Sequence, residues 1–342
     1  MSMWLTLTAA VTAAVIAAIG GFVLIPYLKK IHFGQTILEE GPAWHKSKQG
    51  TPIMGGFLFI GGSILATALG YTVYRLSGQL DTTTREAAVQ GLRLLTVVLF
   101  SLLYSLTIGF TDDYIKAVKK QNLGLNPKQK MAAQFVLSAL LLAILYLLGD
   151  RETTIDLIFV KLNFGIFYYP VMILFIIYMS NAVNLTDGID GLCGSVTVVS
   201  MLALTVICSS LLFPELSLYA ITIAGGCIGF LVWNLHPAKC FMGDTGSMYL
   251  GGAVSAIGVA CRLHLLLVLV GIVYVLDALS VLVQVLYFKY TKKKYGEGRR
   301  IFKMSPIHHH FELCKWSEYK IVAVFSLVGL AAGAAAVLIR LI

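Results

Sequence analysis

Apolar residues run along this chain in long blocks, not in strict alternation and not in narrow helical stripes. A helix needs about 20 apolar residues to cross a hydrocarbon core of about 30 Å. Ten blocks meet that length, at about 3–28, 53–75, 91–111, 131–149, 167–186, 191–213, 217–235, 246–263, 265–288 and 319–342. Between the fourth and fifth, the segment 150–166 (RETTIDLIFVKLNFGIF) has a β-like pattern and predicts a short outer hairpin. The pattern therefore predicts an all-α polytopic membrane protein, a single integral-membrane domain over 1–342. The first block is too long, and too basic at its C-terminal flank, for a cleaved signal peptide. The longest connection, about 289–318, leaves no room for a soluble domain.

Composition agrees with the pattern. Of 342 residues, 58% are hydrophobic and only 13% charged, against roughly a quarter charged in a soluble domain. Mean hydropathy is +0.83. Lysine and arginine then set the orientation. Loops 29–52, 112–130, 236–246 and 289–320 hold 19 of the 26 basic residues, which predicts that they are cytoplasmic and that both termini face outward. The net charge of +9 needs no nucleic-acid partner, because loops beside anionic lipid carry such charge. Cys193, Cys208, Cys227, Cys240, Cys261 and Cys314 form no CxxC pair, so they read as small apolar residues.

The uncommon polar residues gather on the cytoplasmic side. Asp112 and Asp113 close the third block, an unfavourable place for two carboxylates if the helix ends there. A cation would reverse that problem. Asn184, Asp187 and Asp190 stand three apart in NLTDGIDG, on one helical face or in one Asp-Gly turn. Asp244 precedes the eighth block, where an N-cap aspartate is ordinary. Gly243, Thr245, Gly246 and Ser247 around it also suit a phosphate cradle at a helix start. Asn234 and His236 lie just upstream. His308, His309 and His310 follow Ser305-Pro306, a helix-start pair, and successive helical residues point about 100° apart. All three cannot hold one zinc ion, and they suit phosphate contact better. Lys48, Lys116 and Lys128 sit within motif-bearing loops, although topology alone accounts for most lysines here. Asp277 lies mid-block, a functional-site hypothesis by default, with Gln284 two turns on.

Hard oxygen donors without a thiolate cluster suit Mg²⁺ or Mn²⁺ bridging carboxylates and phosphates. With lysines and histidines nearby, the set fits phosphoryl transfer at the membrane surface, where a soluble nucleotide could meet a lipid. No P-loop or Rossmann glycine pattern is present.

Five blocks carry a resemblance: GTPIMGG (Gly50–Gly56), TDDYIK (Thr111–Lys116), NAVNLTDGIDGL (Asn181–Leu192), GFLVWNLHPAKCFMGDTGS (Gly229–Ser247) and SPIHHHFE (Ser305–Glu312). In this order they resemble the signatures of the phospho-N-acetylmuramoyl-pentapeptide transferases, within the polyprenyl-phosphate N-acetylhexosamine-1-phosphate transferases. The resemblance spans essentially the whole chain. It implies transfer of phospho-MurNAc-pentapeptide from UDP-MurNAc-pentapeptide to undecaprenyl phosphate, giving UMP and lipid I in peptidoglycan synthesis at the bacterial cell membrane. It also implies Mg²⁺ dependence and a homodimer. It puts the Mg²⁺ ligand at Asp244, with Asp187 as the second metal carboxylate. Asp112 and Asp113 fall near the diphosphate and the attacking lipid phosphate, with His308 among the catalytic groups. Lys48, Lys116, Lys128, Asn184, Asp187, Asp190, Asn234, Gln284, His309 and His310 fill the substrate site, and Phe241 stacks on uracil. Two other readings stand beside this one. A sister enzyme using UDP-GlcNAc would need the same carboxylates. A secondary transporter would couple ions through intramembrane carboxylates, but those would lie near the midplane.

Overall fold

The computed structural model describes residues 2–31, 33–34, 50–77, 84–119, 123–157 and 160–341. It is a helical bundle with one small hairpin. Helices α1 (Met3–Lys30), α2 (Gly56–Leu76), α3 (Arg85–Tyr104), α4 (Thr111–Lys119) and α5 (Pro127–Leu147) come first. Strands β1 (Thr154–Asp156) and β2 (Lys161–Asn163) follow, paired antiparallel with Ile155 opposite Leu162. Then come α6 (Tyr168–Thr186), α7 (Leu192–Ser210), α8 (Pro214–Asn234), α9 (Gly243–Ala260), α10 (His264–Val270), α11 (Ile272–Tyr295), α12 (Ile307–Leu313) and α13 (Glu318–Leu341). The hairpin falls where the alternating segment placed it.

Among the described residues, nine helical segments are long and apolar enough to cross a membrane. The eighth expected span exists as α9 but is not one of the nine. Its GDTGSMYLGGAVSAIGVA sequence is rich in glycine and serine, and the helix is almost wholly buried by its neighbours. Such small residues let helices approach closely where lipid offers no hydrophobic drive between them. The same device joins α1 to α8. A Cβ at Gly225 or Gly229 would overlap the carbonyl oxygens of Ala10 and Ala14. The buried centre also holds paired hydroxyls, as buried polar groups must. Tyr219 donates to Tyr249 (2.9 Å), which lies 2.9 Å from Ser63. Cys208 and Cys261 are free thiols with Sγ atoms 3.3 Å apart.

Three expectations about local structure need correction. First, Asp112 and Asp113 do not close a helix. The chain widens into a π-turn at Ser105–Phe110 and continues as α4, so the pair sits in α4's first turn. The two carboxylates therefore face no helix C-terminus there. Second, the ninth block is broken at Gly271, and α11 runs on to Tyr295, past the expected end at 288. Third, the residue before the histidine helix is Pro306, not Ser305. The chain's connections bring the ends of α3–α4, α6, α8 and the starts of α2, α9 and α12 to one end of the bundle, opposite the hairpin.

Candidate functional site

The site grows around the start of α9. The first N–H groups of any helix lack partners within it. Here Asp113, from α4, supplies them: Oδ1 accepts from Asp244 N (3.1 Å), and Oδ2 from Thr245 N (2.8 Å) and Thr245 Oγ1 (2.7 Å). Close approach makes this cap possible. A Cβ at Gly109, in the π-turn, would overlap the Asp244 carbonyl, and Ser105 Oγ donates to Thr245 O (2.7 Å). On the other side, the Gly50–Gly56 segment clips to the same loop. Phe241 N donates to Pro52 O (2.8 Å), Gly55 N to Phe241 O (2.8 Å) and Gly56 N to Met242 O (3.1 Å).

Asp112, one residue before the cap, is free to do something else. It is buried, and its Oδ1 accepts from Leu125 N (2.7 Å) and from Lys130 Nζ (2.9 Å), while Oδ2 faces Lys116 Nζ (2.6 Å). Oδ2 has no hydrogen-bond partner of good geometry. Asp244 Oδ2 meets the same two ammonium groups, Lys130 at 2.9 Å and Lys116 at 3.5 Å. Its Oδ1 accepts from Asn184 Nδ2 (3.1 Å), which also reaches Ser247 Oγ (2.7 Å). Oxygens of Asp112, Asp113 and Asp244 all lie within 4.8 Å of one another. Three carboxylates this close must be balanced by cations. Lys116 and Lys130 do so here, and the donor set of hard oxygens also fits a divalent cation. Asp187 caps α6 beside them. Removal from water, then the carboxylates of Asp244, Asp113 and Asp190, push it up to about 8.

Other predicted residues are placed differently. Asp190 turns away from Asp187 into a second cluster, where its Oδ2 meets His236 Nδ1 (3.0 Å) and Ala238 N (3.0 Å), and its N–H donates to Glu318 (2.9 Å). Asn184 thus stays on α6, while Asp187 and Asp190 lie in the Asp-Gly turn that follows it, not on one helical face. Asn234 braces two loops, accepting from Gly191 N (3.1 Å) and donating to Cys240 O (2.9 Å). Gln284 holds the loop before α12 by three bonds, to Ile301 N, Phe302 N and Phe302 O, each 3.0 Å. The three histidines point three ways. His308 meets Asp277 (3.0 Å), His309 meets Glu312 (2.5 Å) and His310 accepts from Lys303 N (3.1 Å). Lys128 is exposed at the start of α5. Lys130 was not anticipated, yet it touches both Asp112 and Asp244. Lys48 lies outside the described residues.

A multi-helix bundle with carboxylates and lysines converging at one end has the layout of an integral-membrane transferase. The family model described as Glycosyl transferase family 4 matches residues 95–262. A phospho-N-acetylmuramoyl-pentapeptide-transferase of Halalkalibacterium halodurans is 41% identical over 322 residues, 92% of this chain and 91% of that protein. Proteins of the same name from Listeria welshimeri (39% identical, 96% of both chains) and Clostridium perfringens (41%, 94% of both chains) match equally broadly. The chain belongs to the phospho-N-acetylmuramoyl-pentapeptide-transferase family.

Proposed function

We propose that this protein transfers phospho-MurNAc-pentapeptide from UDP-MurNAc-pentapeptide to undecaprenyl phosphate. A lipid phosphate oxygen bonds to the sugar-linked phosphorus, the bridging P–O bond breaks, and UMP leaves. The lipid-diphosphate product is lipid I. The observation that supports this reading best is the convergence of Asp112, Asp244, Lys116 and Lys130 beside a helix start, in a chain whose relatives carry this name.

Phosphoryl transfer needs charge neutralisation and positioning more than covalent chemistry. Lys116 and Lys130, each held between two carboxylates, are placed to turn to the diphosphate when it enters. Asp112, whose Oδ2 is held by the Lys116 ion pair alone, is the group to orient or deprotonate the lipid phosphate. Asp113 works indirectly, by fixing the start of α9 and hence Asp244. Asn184 sets the rotation of the Asp244 carboxylate. Mg²⁺ is the proposed metal, held by Asp244 with Asp187, and when bound it would neutralise charge on the transferring phosphates. Phe241 is proposed to stack on uracil, and Lys48, His309 and His310 to contact the nucleotide sugar. The site faces the cytoplasm and the protein works as a homodimer in this reading, supported by the skew of basic residues and by family membership respectively.

Purified protein in detergent, given undecaprenyl phosphate and Mg²⁺, tests the substrate. UDP-MurNAc-pentapeptide should release UMP and UDP-GlcNAc should not. Release from UDP-GlcNAc alone would move the chain to the sister enzymes. Release from neither would remove the transferase reading.

A further inference from the structure

Asp277 was conspicuous in the sequence as a carboxylate in the middle of an apolar block, and the reaction described above makes no use of it. In the structure, Asp277 on α11 and His308 on α12 are both completely buried, at 0% exposure each. The Asp277 carboxylate grips His308 twice. Oδ2 lies 3.0 Å from ring Nδ1, and Oδ1 accepts from the His308 backbone N–H at 3.4 Å. With Asp277 ionised its carboxylate can only accept, which makes Nδ1 the donor of this pair. The opposite ring nitrogen, Nε2, is buried and has no hydrogen-bond partner.

That orphan nitrogen is aimed at a particular place. A Cβ at Gly188 would overlap it, so the ring edge rests directly on the Cα of Gly188. Gly188 follows Asp187, and Asn184, one turn earlier, holds Asp244. The His308 edge therefore meets the site through the turn that carries Asp187. A buried nitrogen left without a partner is destabilising, and a fold retains one only for a reason. Its neighbours fare differently: His309 is matched to Glu312 and His310 to the Lys303 backbone.

We propose that Asp277 is a positioning residue for His308. It fixes the ring as the Nδ1-protonated form and turns Nε2 toward the Asp187–Gly188 turn, beside the carboxylate–lysine cluster. The pairing follows the general pattern in which an acceptor behind an imidazole sets its tautomer and direction. This inference rests on the transferase reading for its kinetic consequence, but not for its geometry.

The test is a double-mutant series on the full-length protein in detergent, with kcat and KM for UDP-MurNAc-pentapeptide measured separately. Asp277→Asn should lower kcat by roughly 10–100-fold, the usual effect of losing such a supporting partner, with KM nearly unchanged. Asp277→Glu should recover most of that loss, because the carboxylate is restored. In a His308→Ala background, Asp277→Asn should cost nothing further. Nitrogen NMR of protein labelled at histidine provides a readout that does not depend on substrate. The wild type should show one His308 resonance pair with Nδ1 protonated and Nε2 bare, and Asp277→Asn should abolish that pattern. A kcat loss of equal size in the His308→Ala background, or an unchanged nitrogen pattern in Asp277→Asn, would overturn the proposal. Absence of UMP release by the wild type, with the nitrogen pattern intact, would overturn the reaction and leave the pair standing. If Asp277→Asn does not fold, Gly188→Ala displaces the ring from the other side and must give the same loss of kcat and the same change in pattern.

Discussion

Lys128 and Lys130 stand two residues apart at the start of α5 and meet opposite surroundings. Asn126 caps the helix and Pro127 opens it, so the two lysines lie about 200° apart around the axis. Lys130 begins the stripe that continues through the buried Gln134 and Ser138, and it reaches Asp112 and Asp244. The polar pair at spacing four after Lys130 is the signal in the sequence that could have found it. Lys130→Ala should lower UMP release by about 10²–10³-fold, the scale of losing one charge-stabilising group, while Lys128→Ala should stay near the wild type. Equal losses for both would contradict the placement. The site carboxylates were legible because nothing else brings so many Asp residues to one side of a membrane chain. Their division of labour was not, since Asp112 and Asp113 are neighbours in sequence, and only the tertiary contact shows that Asp113 caps α9. Asp187, pushed up to about 8, holds its proton in most molecules at neutral pH. A proton and a cation compete for one carboxylate, so the Mg²⁺ concentration for half-maximal activity should fall as pH rises through about 8. Mg²⁺ titrations of UMP release at several pH values check this, and a half-saturation independent of pH would take Asp187 out of the metal site.

At the scale of the element, hydropathy revealed the helices but not their irregularities. A π-turn adds one residue to a helical turn without changing its composition, so the Ser105–Phe110 widening left no mark in the apolar pattern. That widening nonetheless carries the chain across the start of α9 and lets Asp112 and Asp113 face Asp244. Gly109 is the point of closest approach, its Cα against the Asp244 carbonyl. Gly109→Ala should lower the thermal midpoint in detergent, with an overpacking cost of about 1–3 kcal/mol, and should depress transfer as well. Thermal unfolding of the variant checks this, and an unchanged midpoint would show that the contact can relax. The break at Gly271 was equally hidden, because the residues on either side of it are as apolar as in a continuous helix. α9 shows the converse case. It was found as a helix because glycine and serine in a membrane chain still alternate with Leu, Val and Ile, yet its surroundings are protein on nearly every side.

Across the described residues, the carboxylate site with Lys116 and Lys130 lies at one end of the bundle, and the Thr154–Asn163 hairpin at the other. In the orientation we propose from the positive-inside rule, Lys161 is outside and the site inside. In intact cells, with Cys314 replaced by serine, a cysteine introduced by Lys161→Cys should react with a membrane-impermeant maleimide. The natural Cys314 beside the histidine helix should react only after permeabilisation. Labelling in the reverse pattern would invert the protein. The carboxylate–lysine cluster itself is tested by one assay. UMP release from UDP-MurNAc-pentapeptide and undecaprenyl phosphate would be followed for the wild type, with Mg²⁺ and with EDTA, and for Asp112→Asn with Mg²⁺. Turnover is expected in the first case, none with EDTA, and none from an Asp112→Asn protein that unfolds at the wild-type temperature. Turnover by that variant at the wild-type rate, or turnover that persists in EDTA, would contradict it.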